Sequence, residues 1–189
     1  LAGKGALARV RPDDLAAQVI RGLIQQTGVK AEDIEDIVLG CAFPEGEQGF
    51  NIARLIGLLA DLPLSVGGMT VNRFCGSSMS SVHIAAGQIQ LGAGEAFICA
   101  GVESMSRVPM MGFNPLPNPE LAKKSAAYMG MGDTAENVAA TGGHHDVVVW
   151  LIKSRLWSTA LHHLEFLTPE RALALLRAGA DIHAAAEPG

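Results

Sequence analysis

The residue with the clearest capacity for chemistry is Cys75, in the run Val71-Asn72-Arg73-Phe74-Cys75-Gly76-Ser77-Ser78-Met79. Gly67-Gly68 opens the short apolar run Met69-Thr70-Val71, which predicts a buried strand. Apolar residues at helical spacing from 77 to 91 then predict a helix. Cys75 is therefore expected on a strand-to-helix turn, where the unpaired N–H groups of a helix start favour a thiolate, the nucleophilic form of cysteine. One interpretation is a reactive cysteine, and the other is a half-buried cysteine that packs as a small hydrophobic residue.

The elements around this turn alternate between strands and helices. Strands are predicted at 36–40 and 96–101, and the second is apolar enough to be buried on both faces. This alternation indicates an α/β domain with a largely parallel sheet. Ligands of such sheets bind at the carboxyl ends of the strands, which is where Cys75 falls. Cys41 and Cys99 lie in or beside the other two strands, and we expect both to be core residues.

Two further helices are predicted before the Cys75 turn. Pro12-Asp13-Asp14 favours a helix start, and Gly28 is placed to end that helix. Asn51 is expected to cap a second helix. The inward-facing residues of that helix are predicted to be Ile52, Leu55, Ile56 and Leu59.

Composition narrows the class of protein. The chain has 189 residues, of which 49% are hydrophobic and 17% charged, as expected of a globular protein. A net charge of -5 without a Lys/Arg cluster argues against nucleic acid or an acidic membrane surface as partner. No apolar run approaches the roughly 20 residues of a membrane span. No signal or transit peptide is visible. Leu1 is not an initiator methionine, so we expect a truncated start.

Cysteine usage indicates the compartment. The three cysteines are odd in number and far apart, without the spacing of a metal or redox site. Free thiols suit a reducing compartment, so a cytoplasmic location is predicted.

Beyond Gly101 the chain becomes irregular and rich in proline and methionine. Pro109, Pro115, Pro117 and Pro119 interrupt it, and a group of methionines including Met131 lies in and after this stretch. Methionine-rich loops can line an adaptable apolar ligand pocket, but irregular packing is the simpler interpretation.

Four sequence motifs, in this order, resemble the amino-terminal half of a thiolase, an acetyl-CoA acyltransferase. They are Gly49-Phe50-Asn51-Ile52-Ala53-Arg54, Val71-Asn72-Arg73-Phe74-Cys75-Gly76-Ser77, Gly101-Val102-Glu103-Ser104-Met105-Ser106 and Met131-Gly132-Asp133-Thr134-Ala135-Glu136-Asn137. The resemblance covers about residues 1–139 and implies a partial thiolase-like layered fold, a parallel-rich sheet with helices.

The resemblance also implies roles for particular residues. Cys75 matches the cysteine that takes the acyl group as a thioester, and Met131 lies in the segment beside the pantetheine and acyl chain. Glu103 and Ser104 belong to a motif that is structural in the family, so neither is expected to be a catalytic acid or nucleophile. The implied reaction is 3-ketoacyl-CoA plus CoA giving acetyl-CoA plus a shortened acyl-CoA, or its reverse. Coenzyme A is then a substrate and no cofactor is expected, and family members form dimers or tetramers, which favours a homo-oligomer.

Some family motifs do not occur in this sequence. None of the six histidines is followed by proline, so the Gly-His-Pro histidine is absent, and no cysteine follows Cys99 to supply the C-x-G motif. The family's opening strand would precede Leu1. With that strand taken as central in the sheet, its loss is expected to leave two neighbouring strands without their partner. We therefore do not expect this chain alone to be a working thiolase.

The tail, 140–189, resembles a different family. Ser158-Thr159-Ala160-Leu161-His162-His163 and Arg177-Ala178-Gly179-Ala180-Asp181-Ile182-His183-Ala184 resemble parts of an ankyrin repeat, and 142–152 resembles the second half of another. The resemblance implies an α-helical segment that could contact a protein partner through residues 141–189. Adjacent histidines at 144–145 and 162–163 point about 100° apart in a helix, so no metal site is expected.

Three hypotheses follow. The first is a thiolase-type acyltransferase fragment, 1–139, joined to an ankyrin-like tail, 140–189. The second is a non-catalytic protein-binding module that uses the ankyrin-like helices. The third is a chimeric or mis-joined chain, because no Gly/Ser-rich or Pro-rich tether lies at the junction.

Overall fold

The structure, a computed structural model, describes residues 3–143 together with Asp146 and Arg177. The chain divides into two compact units, the first ending at Leu116 and the second beginning at Pro117. The predicted division between 139 and 140 remains a prediction.

The first unit alternates helices and strands as the sequence predicts. Its elements are α1 (Pro12–Thr27), β1 (Asp36–Gly40), α2 (Ile52–Leu59), β2 (Gly67–Val71), α3 (Ser77–Gln90) and β3 (Phe97–Gly101). Short 3-10 turns lie at Ala31–Asp33, Gly46–Gln48 and Phe74–Gly76. The second unit contains α4 (Pro119–Lys124) and α5 (Met131–Thr141).

The predicted bounds of α1 are confirmed. Pro12 occupies the first turn with Asp13 and Asp14, and Gly28 ends the helix in the left-handed conformation at φ 70°. The Gly28 N–H donates to the Ile24 carbonyl at 2.9 Å, which satisfies one of the last free carbonyls of the helix.

The described strands form one parallel sheet in the order β2-β1-β3. β1 is central: Asp36 aligns with Gly67 on one side and with Phe97 on the other, and both pairings run the length of the strand. The prediction that two neighbouring strands would lack a partner is therefore wrong for these three strands. Each outer strand pairs with β1 directly.

The hydrophobic core lies between the sheet and the pair α1 and α2. Ile37, Leu39 and Cys41 alternate along β1 toward this side and are buried, with Ile98 of β3 in the same cluster. The prediction that Cys41 is a core residue is confirmed, since it is 1% exposed.

The structure corrects two details of α2. Ile52 and Ile56 are buried, but Leu55 and Leu59 are each 39% exposed, so the inward face is narrower than predicted. Asn51 occupies the N-cap position without capping the helix. Its Nδ2 donates to the Gly68 carbonyl at 2.6 Å and its Oδ1 accepts from Thr70 Oγ1 at 2.8 Å, so the side chain ties the helix start to β2 instead.

The opposite face of the sheet carries α3. Its buried residues are Ser77, Ser80, Ser81 and Ala85, whereas Met79 is 65% exposed and Val82 51% exposed. The predicted bounds of α3 hold within one residue, but small residues face the sheet and large apolar ones face outward.

Neither outer strand is buried as the sequence predicts. Every residue of β2 is half-buried. In β3 Ile98 is buried, while Cys99 is exposed, so the predictions of burial on both faces and of a core Cys99 are wrong. The Cys99 Sγ lies 3.6 Å from the Ser81 carbonyl oxygen of α3.

The second unit is described only as far as Gly143, apart from Asp146 and Arg177. In it, Asn118 caps α4 through hydrogen bonds from the Glu120 and Leu121 N–H groups, each 3.0 Å long. The predicted ankyrin-like repeats and the histidine pairs 144–145 and 162–163 lie outside the described residues. Within the described part of the chain, no helix is both long enough and apolar enough to span a bilayer.

Candidate active site

Cys75 lies where the sequence places it. The residue lies in the 3-10 turn Phe74–Gly76, which begins three residues after the end of β2 and leads into α3 at the carboxyl edge of the parallel sheet. Its side chain is exposed. A nucleophile at this position is open to a ligand that binds across the strand ends.

Two glycines let the start of α3 approach the sheet. A Cβ on Gly40, at the end of β1, would lie 2.5 Å from the Ser78 backbone nitrogen. A Cβ on Gly101, at the end of β3, would collide with Ser78 Oγ. Because both strands end in glycine, the first turn of α3 rests on the sheet backbone and holds the Cys75 turn close to the strand ends.

The turn is closed by the two polar side chains that flank it. Asn72 Oδ1 accepts from the Phe74 N–H at 2.9 Å. Ser77 Oγ accepts from the Arg73 N–H at 2.8 Å and donates to the Phe74 carbonyl at 2.6 Å. These bonds hold Phe74 at φ 45°, a left-handed conformation that is unfavourable for a bulky residue.

The turn is also joined to the segment that follows β1. Asn72 Nδ2 donates to the Ala42 carbonyl at 2.9 Å. The rings of Phe43 and Phe74 contact each other in a tilted arrangement, with centroids 5.9 Å apart. Phe74, immediately before Cys75, therefore contacts the neighbouring loop through its ring, and Asn72 bonds the same loop through its side chain.

A buried glutamine connects the same segment to the end of β3. Gln48 is 0% exposed, and its Nε2 donates to the Phe43 carbonyl at 2.9 Å and to Glu103 Oε1 at 2.5 Å. Its Oε1 accepts from the Ser104 N–H at 2.7 Å. The other carboxylate oxygen, Glu103 Oε2, accepts from the Ala42 N–H at 2.7 Å. Glu103 and Ser104 thus make structural hydrogen bonds, in line with their sequence motif.

Sequence reasoning does not single out Gln48. Nothing in the polar loop 44–49 distinguishes a glutamine that becomes buried from one that stays in water. The role of Gln48 becomes visible only when the backbone groups after β1 and β3 are checked for hydrogen-bond partners.

Cys41 has the environment of an inert thiol. Burial, together with the nearby Glu103 carboxylate, raises the pKa of Cys41 to about 11. A thiol with so high a pKa is almost entirely protonated at neutral pH and is a poor nucleophile. Of Cys41 and Cys75, the exposed Cys75 at the turn before α3 is therefore the better candidate for chemistry.

Met131 is the first residue of α5, in the second unit, and is 65% exposed. Gly130 precedes it as N-cap, and the Gly130 carbonyl accepts from Thr134 Oγ1 at 3.0 Å. Cys75 belongs to the first unit and Met131 to the second. The substrate-binding role of Met131 stays a prediction.

Among residues 3–143, no group of three or more His, Cys, Asp and Glu side chains is arranged to hold an ion. The hydrogen bonds around Cys75 use backbone groups, the Ser77 hydroxyl, the Asn72 and Gln48 amides and the Glu103 carboxylate.

Comparison with known proteins identifies the family. The model of the family described as "Thiolase, N-terminal domain" matches residues 1–144. The chain is 50% identical to the 3-ketoacyl-CoA thiolase of Bacillus subtilis (strain 168) over 143 residues, which is 75% of this chain and 37% of that protein. It is 48% identical to the 3-ketoacyl-CoA thiolase of Psychrobacter arcticus over 133 residues, 70% of this chain and 34% of that protein. The chain thus spans roughly a third of the length of these relatives. Because the thiolase amino-terminal family model matches residues 1–144, about three quarters of the sequence, the chain belongs to the thiolase family.

Proposed function

We propose that this chain supplies the acyl-accepting cysteine of a thiolase-type acyltransferase, with Cys75 as the nucleophile. Its substrates are then CoA thioesters, in the reaction of 3-ketoacyl-CoA with CoA to give acetyl-CoA and a shortened acyl-CoA, or the reverse. Support comes from the relatives named 3-ketoacyl-CoA thiolase. Coenzyme A enters as a substrate, not as a bound cofactor.

The observation that carries the proposal is the position of Cys75. It is exposed, it lies four residues after the end of a parallel strand, and the helix after it begins two residues later. A thioester carbonyl can approach such a thiol from solvent, and the soft sulfur is both a good nucleophile and a good leaving group.

The chemistry of this step can be written in full. The Cys75 thiolate attacks the C3 carbonyl carbon of the 3-ketoacyl-CoA, and its electron pair passes to oxygen as the tetrahedral oxyanion forms. When the carbonyl re-forms, the C2–C3 bond breaks and the departing acetyl-CoA enolate takes a proton at C2. The thiolate of a second CoA then attacks the Cys75 thioester, releases the shortened acyl-CoA and restores the Cys75 sulfur.

A backbone donor is available to the oxyanion at the same turn. Three N–H groups around the cysteine already have acceptors, namely Arg73 to Ser77 Oγ, Phe74 to Asn72 Oδ1 and Gly76 to the Arg73 carbonyl. In the part of the chain that the structure describes, the Cys75 N–H donates to no protein acceptor. We infer that this N–H stabilises the oxyanion, because a preorganised donor is worth most where charge develops.

Complete turnover needs groups that this sequence does not supply. The resemblance assigns activation of the nucleophile to a Gly-His-Pro histidine and proton transfer on the substrate to a C-x-G cysteine, and neither motif occurs here. We therefore expect the chain alone to accept an acyl group slowly and not to complete the two-substrate reaction.

The test is acetylation of the cysteine itself. The folded chain is incubated with acetyl-CoA and digested, and the mass of the peptide that contains Cys75 is measured. We expect an acetyl group on this peptide in the unmodified sequence and none in Cys75→Ser. A demonstrably folded chain whose Cys75 gains no acetyl group would contradict the proposal.

Cys99→Ser is the matched control, because Cys99 is also exposed but lies within a strand. Acetylation of Cys75 should be unchanged in this variant. Equal acetylation of Cys75 and Cys99 would indicate unselective chemistry of exposed thiols and would also count against the proposal.

A further inference from the structure

Ala42 is held from two sides by side chains that come from different strand ends. Its N–H donates to Glu103 Oε2, beyond β3, at 2.7 Å, and its carbonyl accepts from Asn72 Nδ2, beyond β2, at 2.9 Å. The Oδ1 oxygen of the same Asn72 amide accepts from the Phe74 N–H, next to Cys75. An unbroken series of hydrogen bonds therefore runs from the end of β3 to the nucleophile turn.

We propose that Glu103 and Asn72 act in series, through the backbone of Ala42, as positioning residues for Cys75. The inference rests on the proposed function, since it concerns the geometry with which Cys75 meets an acyl group. It assigns neither residue contact with the substrate. Glu103 fixes the position of the Ala42 backbone, and Asn72 couples that position to the turn that contains Cys75.

The polarity of the network explains why position 103 carries a carboxylate. Both oxygens of Glu103 accept hydrogen bonds, one from Gln48 Nε2 and the other from the Ala42 N–H. An amide at this position would turn its NH₂ group toward one of these donors in either orientation. A flip of the Gln48 amide cannot compensate, because its Oε1 already accepts from the Ser104 N–H and its Nε2 donates to the Phe43 carbonyl.

Asn72 is likewise matched to two tasks. Its carbonyl oxygen closes the turn at Phe74, and its NH₂ group reaches Ala42. Serine at this position could still accept the Phe74 N–H, as serine does in comparable turns, but its side chain is too short to reach Ala42. Asn72→Ser therefore separates the link to Ala42 from local closure of the turn, without adding a charge.

The exposure of Glu103 and Asn72 allows their effect on Cys75 to be separated from an effect on the hydrophobic core. The side chains of Glu103 and Asn72 are both exposed, so their substitution leaves the hydrophobic core intact. A merely structural role would alter the free energy of unfolding and leave the chemistry of Cys75 unchanged. A positioning role predicts the opposite pattern.

The test is a double-mutant cycle on Cys75. Acetylation by acetyl-CoA and alkylation by iodoacetamide are measured for the unmodified chain, Glu103→Gln, Asn72→Ser and the double variant. We expect each single variant to slow acetylation on the order of 10-fold, because a small misplacement of reacting atoms is costly. Alkylation, which demands little geometry, should change by no more than about twofold. The double variant should acetylate no more slowly than the slower single variant, since residues in one series do not act additively.

The control for Glu103→Gln is Glu95→Gln. Glu95 is exposed and lies before the amino end of β3, away from the strand ends that carry Cys75. Its substitution should leave the acetylation rate unchanged. Equal rates for Glu95→Gln and Glu103→Gln, or rate losses that multiply in the double variant, would overturn the proposal.

A second measurement decides the case if the unmodified chain is not acetylated at all. Amide hydrogen exchange at Phe74 reports the bond to Asn72 directly and requires no acyl transfer. Glu103→Gln should speed exchange at Phe74, whereas Glu95→Gln should not. Faster exchange without acetylation would leave the positioning role standing while the proposed function fails, and unchanged exchange would overturn the positioning role itself.

Discussion

At the scale of single residues, burial separates the cysteines more sharply than sequence context does. Cys41 is 1% exposed and borders the carboxylate of Glu103, which is why its pKa rises to about 11. Cys75 and Cys99 are exposed. Sequence alone correctly predicts a buried Cys41 but wrongly predicts a buried Cys99. The reason is that an apolar outer strand has the same sequence pattern as an apolar central strand.

This difference predicts a labelling pattern. At pH 8, iodoacetamide should modify Cys75 in the folded chain and leave Cys41 unmodified, because a buried thiol that ionises near pH 11 offers almost no accessible thiolate. Peptide mass analysis with and without urea measures both sites. Cys41 should react only after unfolding. Equal labelling of the two in the folded chain would contradict the burial of Cys41.

At the scale of elements, the contact between α3 and the sheet determines where the Cys75 turn lies. Gly40 and Gly101 bring the helix start onto the strand ends, and the buried face of α3 is formed by serines and Ala85. Small residues on both sides allow this close approach. The larger apolar residues of the helix are then left on its outer side.

Gly40→Ala tests this contact. The added methyl would meet the Ser78 backbone nitrogen at 2.5 Å, so the first turn of α3 must shift. We expect the free energy of unfolding to fall by about 1–3 kcal/mol, as for overpacked sites, and acetylation of Cys75 to slow. Urea unfolding and the acetyl-CoA assay measure the two effects.

Gly87→Ala in the same helix is the matched control, because a Cβ there meets nothing within 4 Å. This change should raise the free energy of unfolding by about 0.5–1 kcal/mol, the ordinary advantage of alanine in a helix. If both variants were equally stable, close packing at Gly40 would not be what holds the helix start.

Much of this element-level arrangement follows from the sequence. Pro12 and Gly28 mark the ends of α1, and the apolar spacing after Cys75 marks α3. The face of α3 that packs is not predictable in this way, since hydrophobic periodicity assigns the core to Met79 and Val82. Glycines in two other strands reverse that assignment, and such long-range steric matches leave no mark in the local sequence.

At the scale of the whole first unit, ion pairs join the start of α1 to loops that lie far apart in the chain. Arg11 binds Asp13 at 2.7 Å and Glu47 at 3.3 Å, and Arg107 also binds Glu47. Hydrogen bonding from Arg107 lowers the pKa of Glu47. Burial of Asp13 acts to raise its pKa, but the hydrogen bonds from Arg11 and the backbone outweigh that effect and lower it.

These shifts predict an acid-sensitive fold. Because both carboxyl groups ionise more readily in the folded state, their contribution to stability is present above their ordinary pKa values of 4.5 and 3.8 and is lost as the pH falls below them. Urea unfolding between pH 7 and pH 3 should show this loss. Glu47→Gln should flatten the profile, and an unchanged slope in that variant would show that the pair with Arg107 makes no contribution.

The central place of β1 has a consequence for the order in which the protein forms during its synthesis. β1 emerges first, but both of its partners are made later, and the bond that fixes Ala42 waits for Glu103, which is 61 residues further along the chain. Parallel pairing of this kind needs a completed crossover before any strand contact forms. On a translating ribosome, the Cys75 thiol would therefore exist for some time before its loop is held in place, and its selectivity would be acquired only when the end of β3 arrives.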